Sequence, residues 1–227
     1  MEKYLEKNQE YYDQGYEAEN VESYVFRAYG RIFKHDCGMD GSSHEKVLDF
    51  GCGSGASLRF LKSKGFQVYG VDISHPDLTR ARERMPDIAD RFERIDPKPN
   101  ITDNFFGGNF DLVISIQTLY FLSDTDFSTR LQSLYNMMKP GSYIYASMMG
   151  ERAYFSKYAT PAHDGLSAIN FSNDRITYKD LYVNLTKDEA DLEKKFSLFK
   201  KVYIGYYDRS YRNEGSEFHY TFFGQKV

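Results

Sequence analysis

The stretch Val47-Leu48-Asp49-Phe50-Gly51-Cys52-Gly53-Ser54-Gly55 constrains this chain more than any other. The short apolar run from Lys46 to Phe50 reads as a strand, and the three alternating glycines read as a sharp turn. Leu58 and Leu61 then open a helical stripe that Gly65 stops. Glycine suits such a turn because it adopts conformations closed to other residues and lets a ligand approach the main chain. The helix that follows presents unpaired N–H groups at its N-terminus. A second strand, Gln67 to Val71, ends in Asp72, which follows Asp49 by 23 positions. A carboxylate there can accept hydrogen bonds from both hydroxyls of a ribose. Gly51, Gly53 and Ala56 also satisfy the G-x-G-x-x-A dinucleotide pattern, so these residues alone leave the identity of the cofactor open.

The rest of the chain repeats the strand–helix alternation. Ser74 caps a helix with Pro76 and Asp77 in its first turn. Arg91 to Ile95 is a third strand and Phe110 to Ile116 a fourth. A helix carries Phe127, Leu131, Leu134, Tyr135 and Met138 on one face, and Lys139-Pro140-Gly141-Ser142 turns into a fifth strand, Tyr143 to Met148. This alternation predicts an α/β fold, doubly wound, with a mostly parallel Rossmann-like sheet. Upstream, Val21, Tyr24, Val25, Ala28, Tyr29, Ile32 and Phe33 predict one amphipathic helix over 21–33. Residues 151–176 read as an irregular, polar and aromatic insertion. Thr186 and Glu189 form a capping-box pattern. Lys201 to Tyr207 and Phe218 to Phe223, joined through the turn-rich stretch Asn213 to Ser216, predict a C-terminal antiparallel hairpin.

Composition narrows the class. With 227 residues, 27% charged and 41% hydrophobic, the chain has the balance of a folded domain rather than a disordered one. Its net charge of −4 argues against a nucleic-acid partner. Its apolar runs are strand-sized and its N-terminus lacks the apolar core of a signal peptide, so the expectation is a cytoplasmic protein with no membrane partner. Two cysteines, Cys37 and Cys52, make neither a disulfide framework nor a zinc site, and no metal is expected.

The segment 46–148 resembles the class I S-adenosylmethionine-dependent methyltransferases. The acidic Asp49 stands two positions before the first glycine, where dinucleotide folds usually carry an apolar residue. VYGVDIS, FDLVISIQTLYFL and MKPGSYIYAS match the family's second-, fourth- and fifth-strand motifs in order. The resemblance implies S-adenosyl-L-methionine as cofactor. Gly51, Gly53, Gly55 and the backbone at Cys52 would face its methionine part, and Asp49 would order the loop or reach the amino group through water. Asp72 would hold the ribose, Ile73 would pack on the adenine, and Ile95 with Asp96 would stand where the family often places an adenine contact. Gln117 would lie near the methionine and the acceptor. Tyr11 to Tyr16 resembles the aromatic lid of some small-molecule methyltransferases, and aromatic faces suit a sulfonium. The resemblance implies one methyltransferase domain over 1–227, with a helical lid at 1–40, a cofactor core at 46–148, an acceptor-site insertion at 150–180 and a hairpin at 199–227.

Many relatives carry an acid and a histidine in the segment that here reads Leu119-Tyr120-Phe121. That departure leaves Tyr120 and, in the insertion, His163 beside Asp164 as candidate catalytic residues. Lys157, Arg175, Arg209 and Arg212 are scattered cations suited to an anionic acceptor. The expectation is a monomer or homodimer that methylates a small polar, possibly anionic, metabolite or sugar precursor. Size, lid style and sequence texture further resemble methyltransferases of bacterial capsule and surface-polysaccharide pathways. Two other readings are an NAD(P)-dependent oxidoreductase, for which no Tyr/Lys hydride-transfer pair is evident, and a non-catalytic S-adenosylmethionine-binding module.

Overall fold

A computed structural model describes residues 2–13, 20–172, 177–210 and 215–227. Before the sheet come α1 (Lys3–Tyr12) and α2 (Ser23–Ala28), the latter running directly into a π-helical stretch, Tyr29–Asp36. The single helix expected over 21–33 is therefore wound in two ways. Gly30 opens the wider part and favours α-winding poorly, and Phe33 is fully buried there against Tyr145 and Phe223, with ring centroids 5.5 and 5.9 Å away.

The alternating core comprises β1 (Lys46–Phe50), α3 (Ala56–Ser63), β2 (Gln67–Asp72), α4 (His75–Arg84), β3 (Phe92–Arg94), β4 (Phe110–Ser115), α5 (Asp124–Met137) and β5 (Met138–Met149). After it come β6 (Ala159–Pro161), β7 (Ser167–Ser172), β8 (Thr177–Val183), α6 (Glu189–Lys195), β9 (Lys200–Tyr207) and β10 (His219–Gln225). The main sheet has the order β3-β2-β1-β4-β5-β10-β9. Its first five strands are parallel, and β10 inserts antiparallel between β5 and β9. The doubly wound fold and the C-terminal hairpin are thus as the sequence predicts, though Asn213 and Glu214 of the connection lie outside the described residues.

Side chains on β1 and β4 alternate between two cores, as a strand's period of two requires. Val47, Leu112 and Ile114 join Leu58, Leu61, Leu78 and Phe33 on one face. Leu48, Phe50 and Val113 join Phe127, Leu131 and Leu134 on the other. Central parallel strands covered on both faces read as continuous apolar runs, which is why β1, β2 and β4 were visible in the sequence.

Four local expectations are corrected. Residues 151–176 are not irregular as a whole. A 3₁₀ turn, Tyr154–Tyr158, leads into β6 and β7, and with β8 these form a second, antiparallel sheet. Its strands are short, so no long alternation marked them. The turn at Lys139–Ser142 does not separate α5 from its strand. β5 starts at Met138, and the turn survives as an excursion at Gly141 (φ +78°), where the pairing jumps from Phe110–Met138 to Leu112–Tyr143. The third strand is only Phe92–Arg94. Finally, α6 is capped by Asp188, whose carboxylate accepts the Asp191 N–H at 2.8 Å. Thr186 stands two residues too early to cap it: its backbone pairs with Met149 and Glu151, and its buried hydroxyl has no partner.

Candidate cofactor and acceptor site

The glycines of the loop are required for two different reasons. All three have positive φ, Gly51 at +81°, Gly53 at +50° and Gly55 at +81°. A Cβ on Gly51 would stand 2.1 Å from Thr118 Oγ1, and one on Gly55 2.6 Å from the Met85 methyl. Those two let the chain pack on itself. A Cβ on Gly53 would meet no protein atom within 4 Å. Its bare backbone fronts a cavity of 510 Å³, within the range of small-molecule pockets, about 300–1,000 Å³.

Two carboxylates lie buried under this loop. Asp72, at the end of β2, accepts the Gly53 N–H at 2.7 Å and the Ser74 N–H at 2.8 Å. Burial nonetheless pushes it up to about 6, since the backbone bonds offset only part of the lost hydration. Asp49 is pushed up to about 8, by burial first and then by the charge of Asp72, and its Oδ1 has no hydrogen-bond partner. Two acids held together away from water call for a cation or a set of hydrogen-bond donors. The ammonium, sulfonium and ribose hydroxyls of S-adenosylmethionine supply both, and the space beside Gly53 accepts a chain passing close to the backbone. The residues present therefore fit that cofactor.

The cavity gathers most of the residues singled out in the sequence. Tyr11, Asp49, Gly51, Cys52, Gly53, Asp72, Ile73, Ile95, Asp96, Gln117 and Tyr120 all line it. Gly55 does not; it sits at the head of α3 against α4. Nor does His163. That side chain lies exposed in the β6–β7 connection, with its ring 5.5 Å from Tyr4 and 6.4 Å from Tyr182. Its neighbour Asp164 instead pins the N-terminus of α5, accepting the Thr125 N–H at 3.1 Å through its carboxylate and the Asp124 N–H at 2.9 Å through its carbonyl. Tyr120 is fully enclosed, and burial holds its hydroxyl well above the ordinary phenol range, so it remains a hydrogen-bond donor.

α1 closes one side. Gln9 donates to the Ile73 carbonyl at 3.3 Å, and Ser74 donates to the Tyr12 carbonyl at 3.2 Å, so the helix crosses the ends of the strands. Asn8 fastens it further, donating to the carbonyls of Phe121 (3.2 Å) and Tyr182 (3.0 Å) and accepting the Tyr182 N–H (3.1 Å). Tyr11 and Tyr12 then reach Tyr178 and Phe121, at 5.6 and 5.1 Å between centroids. Tyr16, with Arg175 and Arg212, lies outside the described residues.

On the far side stand groups that no sequence signal brings together. Gln117, in a left-handed conformation (φ +55°), donates through Nε2 to the Tyr207 hydroxyl at 3.1 Å. Tyr207 is stacked on Tyr24 at 3.9 Å and on His219 at 5.0 Å. Burial pushes His219 down to about 4, so it is neutral. Arg209, one of the scattered cations suited to an anionic acceptor, is instead paired with Glu22 and Glu217. Lys157 does not line the cavity; its ammonium lies 3.7 Å from the Tyr154 ring centroid. Tyr24 was legible only as one member of a core stripe, and nothing in the sequence connects it with Tyr207. Among the described residues, no cluster of His, Cys, Asp and Glu is arranged to hold a metal ion, and no helix is long and apolar enough to cross a membrane.

A doubly wound sheet with a glycine turn after β1, an acid ending β2 and an antiparallel seventh strand defines a nucleoside-cofactor fold of the methyltransferase type. Comparison with known proteins agrees. Residues 47–141 match a family described as a methyltransferase domain. An uncharacterized methyltransferase of Schizosaccharomyces pombe is 30% identical over 115 residues, which span 49% of this chain and 76% of that protein. A methyltransferase structure from Methanosarcina mazei, described as S-adenosylmethionine-dependent, superposes with a TM-score of 0.67 at 18% identity, covering 92% of this chain and 99% of that one. The magnesium protoporphyrin IX methyltransferase of Synechocystis, solved with S-adenosylhomocysteine bound, superposes at 0.65 with 15% identity, covering 99% and 100%. The chain belongs to the methyltransferase-domain family.

Proposed function

We propose that this enzyme methylates a small polar acceptor enclosed between α1, the β6–β8 sheet and the C-terminal hairpin. The observation that carries this reading is the continuity of one cavity, from the glycine loop with Asp49 and Asp72 to a chamber walled by Tyr24, Tyr120, Tyr154, Phe155 and Tyr178. Asp72 would hold the ribose hydroxyls, Ile73 and Ile95 would flank the adenine with Asp96 at its rim, and Gly51, Cys52 and Gly53 would face the methionine part beside Asp49. The bound cofactor supplies an electrophilic methyl group on positively charged sulfur. The chain's own task is alignment and exclusion of water. The fastened α1 and the aromatic walls serve both ends. A base at His163 has no support from its position, and Tyr120, held protonated, orients rather than accepts protons.

Calorimetry with S-adenosylhomocysteine, followed by a labelled-methyl screen of small metabolites, tests this reading. Binding of S-adenosylhomocysteine with transfer only to macromolecules would overturn the small-acceptor assignment. Binding with no transfer to any acceptor class would favour the non-catalytic module.

A further inference from the structure

The acceptor end of the cavity carries a charge pattern opposite to the one an anionic substrate needs. Its one cation among the described residues is Arg209. That guanidinium is taken up on both sides. Nε and Nη2 donate to the two carboxylate oxygens of Glu217, and Nη1 donates to both of Glu22 at 3.0 and 2.9 Å. One positive charge against two negative ones leaves the group with a net −1. The segments 14–19 and 211–214 adjoin cavity-lining residues in the chain. By sequence they hold Glu17, Glu19, Arg212 and Glu214, which adds no positive balance. Tyr24 makes a second, independent observation. It lines the same end and is 8% exposed, and apart from the stacked Tyr207 its hydroxyl has no hydrogen-bond partner. Burial raises that phenol well above its ordinary range, so the neutral oxygen is available to accept an N–H. Aromatic faces complete the enclosure, and such faces attract cations.

We infer that the acceptor is an amine carried on an aromatic or apolar framework. Its ammonium is received between Glu22, Glu217 and the Tyr24 hydroxyl, and its framework lies against Tyr120, Phe155 and Tyr178. An ammonium has no free electron pair. Its nitrogen must lose a proton, which a carboxylate of Glu22 or Glu217 stands placed to take; the freed pair would then form the bond to the methyl carbon as that carbon's bond to sulfur breaks and leaves its pair on the departing thioether. This inference rests on the small-acceptor reading above.

Calorimetry on the native chain saturated with S-adenosylhomocysteine tests it, using two matched pairs: tyramine against 4-hydroxyphenylacetate, and phenethylamine against phenylacetate. Each amine should bind at least about tenfold tighter than its carboxylate partner. Glu217→Gln and Glu22→Gln should each erode that preference, by roughly tenfold for the better placed carboxylate, with S-adenosylhomocysteine affinity retained as the control for folding. Arg209→Met should keep the amine preference. Preference for the carboxylates, no binding of either amine, or loss of carboxylate binding in Arg209→Met would each overturn the inference. Should either glutamate variant fail to bind S-adenosylhomocysteine, the matched pairs on the native chain decide alone. Should the native chain itself fail to bind S-adenosylhomocysteine, the methyltransferase reading falls, which is a separate outcome.

Discussion

Gly53 and Asp49 are the single residues on which the proposed cofactor site depends most. A side chain at Gly53 meets no protein atom, so Gly53→Val should fold, at the cost of its positive φ, yet place its methyls where the ligand must pass. Calorimetry should detect no S-adenosylhomocysteine binding, and normal affinity would remove Gly53 from the contact. Asp72→Ala should weaken the same ligand by about 2–4 kcal/mol, two charge-assisted hydrogen bonds with some non-additivity. An unchanged dissociation constant would take Asp72 out of the site. Asp49 yields a pH prediction. Its folded pKa of about 8 lies above its ordinary value of 3.8. Across that window the native state holds a proton that the unfolded chain has released, so stability is lost as pH rises. His219, pushed down to about 4, acts in the opposite sense below its ordinary 6.5 and is spent above it. Between pH 6.5 and 8 the melting temperature of the ligand-free protein should therefore fall, and Asp49→Asn should flatten that slope. S-adenosylhomocysteine affinity should climb over the same interval, by up to about tenfold per unit as its ammonium displaces the proton.

At the scale of elements, α1 and α6 separate local signals from tertiary ones. α1 was not delimited in the sequence because Tyr4, Leu5, Asn8 and Tyr11 make a thin stripe among charged residues, and one of the four is an amide. Its stability comes from partners far along the chain: the Tyr4 hydroxyl donates to Asp126, and Asn8 bridges Phe121 and Tyr182. Asn8→Ala should cost about 2–4 kcal/mol for three such bonds, read as a lower melting temperature. It should also quicken S-adenosylhomocysteine release, because the helix crosses the proposed cofactor end. Unchanged release would make α1 a mere support. For α6, Asp188→Ala should cost about 1 kcal/mol as a lost N-cap, whereas Thr186→Val, which removes a buried hydroxyl without a partner, should be neutral or stabilising. The reverse order in thermal melts would restore the Thr186–Glu189 capping box.

Across the whole molecule, the main sheet and the insertion play unequal parts. The parallel strands bring the loop, Asp72, Ile95 and Gln117 to one edge, which their order along the chain already implied. The β6–β8 sheet, α1 and the hairpin converge on that edge from segments up to about 190 residues apart, as the Arg209–Glu22 pair shows. This convergence neutralises Arg209, one of the cations suited to an anionic acceptor, and leaves His163 on the outer face of the insertion.

The sequence by itself determined the doubly wound core, the glycine turn and the identities of Asp49, Asp72, Ile73 and Gln117 as cavity residues. Each belongs to a short span in which hydrophobic period, turn chemistry and spacing act within one or two elements. Only the tertiary structure decided what stands opposite them. The Gln117–Tyr207–Tyr24 contact and the Glu22–Arg209–Glu217 group join residues whose separation in the chain carries no periodic signal. Their charges and hydrogen bonds acquire meaning only after folding removes water from between them.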